Sequence, residues 1–338
     1  MEHVLKHRAE IYGLLALWII VFHIDHDLIN FPQIPILTNF IKIGNAGVDL
    51  FFFLSGYCIY LSLNRDSNVG NFLRKRFKRV FLVYLVITIP FFIYKVAFET
   101  RTNVVANFFY DLSGLSFWFD KCRNVWFVHA IIVFYILTIP LYHIIKKSIG
   151  CGIFILFLIY VLNYIGHFHS FYENAFFAYT RFPAYVFGMV LADAYFRYPI
   201  KKLIQGLKPS IKVVFSILLI GYFLFFLTYV VNLPLPTYIK YLLYITIIFP
   251  VLLLSLLFIK LLSKMKVPET LLATIGKLSL EVYLIHVIVV HICYNQKLET
   301  HLGYWAYLLV PLLAIPLSIA FHYFYEKTIN KNRNRLTP

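Results

Sequence analysis

About ten stretches of this sequence carry few charges over the length of a bilayer crossing, and that repetition constrains the fold more than any motif does. They cover approximately residues 9–26, 47–63, 80–98, 125–145, 149–165, 178–196, 213–231, 241–259, 277–293 and 304–325. A helix rises about 1.5 Å per residue, so roughly twenty apolar residues cross a hydrocarbon core of about 30 Å. Composition points the same way: 61% of residues are hydrophobic, 19% aromatic and only 14% charged. No soluble domain needs so much apolar surface. The expectation is an all-α, polytopic integral membrane protein, one transmembrane domain over residues 1–338. The first apolar run passes into polar residues with no small-residue cleavage site, so it reads as a span and not as a removable signal.

Ten spans place both termini on one side, and the basic residues say which. Of 31 Lys and Arg, twenty-three fall in the termini and alternate loops, six in the opposite loops, and Lys95 and Arg181 within spans. That asymmetry puts both termini in the cytoplasm. The formal net charge of +16 is then mostly topology and does not call for a nucleic-acid partner. The abundance of Phe, Tyr, Ile, Lys and Asn suits an AT-rich bacterial genome, hence a bacterial inner membrane. The four cysteines are scattered without metal spacing, and no repeat or low-complexity tract is visible.

Within the first span, His23, Asp25, His26 and Asp27 crowd into five residues after a long apolar run. Fifteen helical steps from Arg8 to His23 cover about 22 Å, which puts His23 in the outer part of the slab. Ionisable groups at such depth are costly and tend to be functional. The plain alternative is an interfacial histidine that ends the helix. Asp49, His129 behind Trp126, and Arg181 sit near helix ends at a similar depth; Lys95, Asp193, Glu281 and His286 lie deeper. Each alone could be a paired structural group. Together they describe a polar interior suited to chemistry or passage. On the inner side, Arg74 to Arg79 reads RKRFKR, mostly explained by topology. Arg76 and Arg79, three apart, would share a helical face, and two guanidinium forks suit a polyphosphate.

Several of these segments resemble the acyltransferase-3 family of membrane-bound sugar O-acyltransferases. Gly47 to Gly56 (GVDLFFFLSG) is similar to the GVxLFFxLSG signature, and Arg76 and Arg79 match the RxxR motif that follows it. Asn124 to Val128 (NVWFV) is similar to the usual tryptophan opening of a middle helix. Arg181 to Met189 (RFPAYVFGM) resembles R-x-P-x-aromatic-x-x-G-M, and Ser279 to His286 (SLEVYLIH) resembles S-x-x-x-Y-L-x-H; Tyr325-Glu326-Lys327 is similar to a closing acidic motif. His23 falls where the family places its catalytic histidine. Two positions depart: Tyr12 stands where a basic residue is usual, with Arg8 one turn nearer the N-terminus, and Leu82 replaces a common proline.

The resemblance implies an acyl donor, commonly acetyl-CoA, bound from the cytoplasm by Arg76, Arg79 and Arg8. It implies transfer to a hydroxyl of a cell-surface glycan or lipid-linked sugar. His23 would act as general base or transient acyl carrier, with Asp25 or Asp49 orienting it. His129, Trp126, Arg181, Glu281 and His286 would line the acceptor's binding site, and no metal is implied. Membrane lipids are the expected surroundings, and a homo-oligomer is open. A different class, an exporter or flippase of a glycan or its precursor, should show repeats and Gly- or Pro-broken helices at matching places. None is visible in the sequence.

Overall fold

The computed structural model describes residues 1–29, 34–98, 103–120, 125–166, 175–198, 247–264, 269–298, 301 and 303–335, with isolated positions between 208 and 223. Every element among these residues is helical. In chain order the principal helices are α1 (Arg8–Asp27), α2 (Pro35–Lys42), α3 (Ala46–Arg65), α4 (Val69–Arg76), α5 (Leu82–Phe98), α6 (Val104–Leu112) and α7 (Leu115–Asp120). They continue with α8 (Trp126–Lys147), α9 (Ile149–Gly166), α10 (Phe176–Arg197), α11 (Ile248–Lys264), α12 (Glu269–Lys277), α13 (Ser279–Asn295) and α14 (Ala306–Arg335). A single π turn, Phe77–Phe81, joins α4 to α5.

Six stretches among the described residues are long and apolar enough to cross a membrane, or seven if the pair Thr270–Lys277 and Ser279–Asn295, bent by 77°, counts as one. The expected span at 178–196 is the helix α10, which carries Arg181, Asp193 and Arg197 and is not among the six. Most of 213–231 and the start of 241–259 lie outside the described residues.

The described helices group into two compact units. The first comprises Met1–Gly47, Val83–Lys95 and Leu253–Pro338. Its core joins Ala16, Ile20 and Ile24 of α1 to Ile275, Leu278, Val282 and Val290 and, from α14, Ala306 and Val310. Two glycines let α1 and α12 meet backbone to backbone. A Cβ on Gly13 would collide with the carbonyl of Leu272, and one on Gly276 with the carbonyl of Ala9. Small residues at such crossings are how helices gain dispersion contact where lipid competes for apolar side chains. Trp18 donates to the carbonyl of Phe40 at 2.9 Å and stacks on its ring, fastening α2 to α1.

The second unit comprises Val48–Leu82 and Val96–Leu252. Its core is aromatic, with Phe52, Phe53, Tyr57, Tyr60, Phe117 and Tyr185 almost wholly buried. Helices α3 and α10 touch through a reciprocal glycine pair: Gly56 faces the carbonyl of Tyr185, and Gly188 faces that of Phe53. Pro183 within α10 has no N–H to give to the carbonyl four residues earlier, Tyr179. Asn163 of α9 supplies the missing donor at 2.9 Å. In an apolar medium that replacement matters, because an unsatisfied carbonyl is costly there.

Candidate functional site

The candidate residues fall into both units. In the first unit α1 carries His23 one turn beyond Ile19, and the imidazole Nδ1 sits 3.0 Å from the Ile19 carbonyl. A carbonyl can only accept, so Nδ1 bears the ring proton and Nε2 keeps a lone pair. Nε2 makes no hydrogen bond to any described residue, and the side chain is only partly buried. His286 of α13 lies alongside, its Nε2 3.2 Å from His23 Nδ1. These two histidines are 263 residues apart in sequence.

Asp25, two residues further along α1, is buried and accepts from the Tyr307 hydroxyl at 3.3 Å; the same hydroxyl is 2.9 Å from the Ile29 carbonyl. The hydrogen bonds of the His23 ring thus run to Ile19 and His286, while Asp25 ties α1 to α14. Glu281 is also buried, and His322 of α14 donates to it at 3.0 Å. Arg8, the first residue of α1, is exposed. His286 was legible as an intramembrane ionisable group; nothing local in the sequence marked it as the partner of His23.

In the second unit Asp49 stands in the first turn of α3, where a carboxylate complements the helix dipole. It pairs with Arg181 of α10, Oδ1 to Nε 3.5 Å, and both side chains are 0% exposed. Arg181 lies under the rings of Trp126, at 5.6 Å, and Phe177, at 5.4 Å, and donates to Thr180 at 3.0 Å. Trp126 therefore packs over the ion pair. His129, one turn further along α8, is buried against Phe117. Gly114, at φ 80°, faces the same ring; a Cβ there would come within 2.8 Å of it. Asp49, Arg181 and Trp126 form one cluster, in the unit that does not contain His23.

The basic run behaves differently from its expectation. A straight helix would present Arg76 and Arg79 as an equivalent pair. The π turn begins at Phe77 and changes the angular step between them. Arg76 folds inward, its guanidinium 5.7 Å from the Phe72 ring and 5.5 Å from Tyr135 of α8. Its Nε is sealed from solvent without a hydrogen-bond partner. Arg79 and Lys78 are exposed, and Lys75 approaches Asp66 at 3.8 Å. Sequence spacing found the motif but could not see the π turn that divides it.

Tyr60, Asp193 and Arg197 form a group that sequence reading touched only at Asp193. Tyr60 of α3 donates to Asp193, Arg197 binds the same carboxylate at 2.8 Å, and Arg197 also reaches the Ile145 carbonyl at 3.1 Å. This ties α3, α8 and α10 together. No group of three His, Cys, Asp or Glu among the described residues is placed to hold a metal ion.

No curated protein and no solved structure matches the chain. A family model described as an acyltransferase domain, acyltransferase 3, matches residues 13–325, nearly the whole chain and through both units.

Proposed function

This chain belongs to the acyltransferase-3 family, and we propose that this multi-pass membrane acyltransferase is an O-acetyltransferase of the bacterial inner membrane. In this reading it takes acetyl from cytoplasmic acetyl-CoA and delivers it to a hydroxyl of a cell-surface glycan or lipid-linked sugar. Both termini face the cytoplasm, as the distribution of Lys and Arg favours.

The observation that carries the reading is the His23 imidazole, whose Nδ1 is engaged by the Ile19 carbonyl while Nε2 keeps its lone pair unengaged by any described residue. As general base, Nε2 takes the proton of the acceptor hydroxyl while its oxygen attacks the thioester carbonyl carbon. The tetrahedral intermediate then collapses, the carbon–sulfur bond breaks, and the proton passes from Nε2 to the departing thiolate. An ester and free coenzyme A result.

Arg76 and Arg79 bind the donor's phosphates in unequal ways. Arg76, held beside the Phe72 and Tyr135 rings with a buried and unsatisfied Nε, offers a preoriented fork; Arg79 offers an exposed charge. Arg8, at the start of α1 in the first unit, is an exposed cation in its own right.

The test is release of coenzyme A thiol from acetyl-CoA by the purified chain in lipid nanodiscs, with water standing in for the acceptor hydroxyl and acetate leaving as the second product, beside mass and NMR analysis of surface glycans from cells with and without it. Wild type is expected to release thiol and His23→Ala to lose the activity while remaining folded. Full activity in His23→Ala removes the base. A glycan exported less but never acetylated, with no thiol released, makes the protein an exporter.

A further inference from the structure

The two histidines of the first unit constrain each other's protons. His286 Nδ1 lies 2.9 Å from the Val282 carbonyl, which can only accept, so that nitrogen carries the His286 proton. In a neutral ring Nε2 is then an acceptor. It faces His23 Nδ1 at 3.2 Å, and His23 must be the donor. One assignment satisfies every contact: His23 shares its Nδ1 proton between the Ile19 carbonyl and His286 Nε2.

The opposite assignment fails twice. It needs a cationic His286, which is 1% exposed and has no carboxylate among its hydrogen bonds. It would also set a bare His23 Nδ1 lone pair against the Ile19 oxygen at 3.0 Å.

We propose that His286 is a positioning residue for His23: its Nε2 receives the His23 Nδ1 proton and so keeps the His23 Nε2 lone pair turned toward the substrate. The proposal rests on the reading of His23 as the base. The Ile19 carbonyl alone is a weak anchor, because as the carbonyl one turn back it also serves the helix ladder. A second acceptor from another helix fixes the plane of the ring, here inclined by 56° to that of His286. When Nε2 takes a proton, the Nδ1 hydrogen bond becomes charge-assisted and strengthens. His286 thus does with a neutral ring what an orienting carboxylate does elsewhere. Being sealed in the helix packing beside Tyr283, it acts through His23 and does not itself touch substrate.

The test uses the full chain in lipid nanodiscs, labelled with ¹⁵N at histidine, and acetyl-CoA as the probe. His286→Phe keeps a ring and removes the acceptor; His286→Gln keeps an acceptor oxygen. Turnover is expected to fall about ten-fold or more in His286→Phe, with the KM for acetyl-CoA unchanged, and to recover mostly in His286→Gln. The His23 resonances, identified by their loss in His23→Ala, should report an Nδ1-protonated ring in wild type and a mixture of tautomers in His286→Phe. Equal losses in the two variants overturn the proposal. So does a single unchanged tautomer in His286→Phe, or a wild-type His23 protonated at Nε2. If His286→Phe is not recovered folded, the wild-type spectrum decides through the coupling between His23 Nδ1 and His286 Nε2 across their hydrogen bond: its presence supports the pairing and its absence overturns it. Should wild type release no thiol from acetyl-CoA, the enzymatic reading falls, whereas the spectra still decide the pairing.

Discussion

Asp49 and Arg181 meet with no solvent at either side chain. Charges in such a place are held by each other, and removing one leaves the other buried and uncompensated. Asp49→Asn is therefore expected to cost about 3–5 kcal/mol, read as a lower unfolding midpoint or loss of folded protein in detergent. Asp49→Leu combined with Arg181→Met should recover much of that loss, since an apolar pair needs no desolvation. A normal yield of stable Asp49→Asn with no acyl transfer would instead give the carboxylate a chemical role. Arg76 makes the companion point: equal in charge to Arg79, it differs because Phe72 and Tyr135 hold its guanidinium. Residue type said which side chains could bind phosphate, and surroundings distinguish them.

Helices α3 and α10 approach so closely that two glycines become structural requirements. Gly56 lies in the LSG segment and Gly188 in the GM segment, both visible as motifs, yet their reason is mutual contact. Gly56→Ala would push a methyl group into the Tyr185 carbonyl, which is backbone and cannot swing aside. The expected cost is about 1–3 kcal/mol, from forced separation of the helices. Gly150→Ala is the control: its would-be Cβ meets just Ser148 Oγ, at 3.4 Å, and helix propensity favours alanine by up to about 1 kcal/mol. Thermal midpoints of the two variants in the same detergent check this. A Gly56→Ala protein as stable as its control would mean that the close approach is not needed. Asn163 and Pro183 form a second such device, one helix supplying a donor that another lacks.

Across the whole molecule, the described residues include many large apolar side chains turned outward as well as inward. In α9, Phe154, Phe157 and Leu162 are each more than half exposed, and in α14 so are Leu308 and Leu312. Water would penalise such faces, whereas lipid does not. The proposed sidedness is open to single-cysteine labelling in a background without Cys58, Cys122, Cys151 and Cys293. Cysteines replacing His3 and Lys327 should react only once the cytoplasmic face is opened, and one replacing Tyr304 should react from outside in intact cells. Labelling of the His3 position from outside would reverse the orientation and place His23 on the cytoplasmic side. Helical class, membrane residence and the His23 segment were legible because hydropathy and helix length accumulate along the chain, residue by residue. The family motifs were legible too, as local strings. The partners were not: His286 for His23, Arg181 for Asp49, Tyr307 for Asp25, Gly188 for Gly56. Each depends on which helices pack together and at what rotation about their axes, and that is set by the simultaneous fit of many side chains distant in sequence. The division between Arg76 and Arg79 has the same origin, in a π turn whose register no residue spacing records.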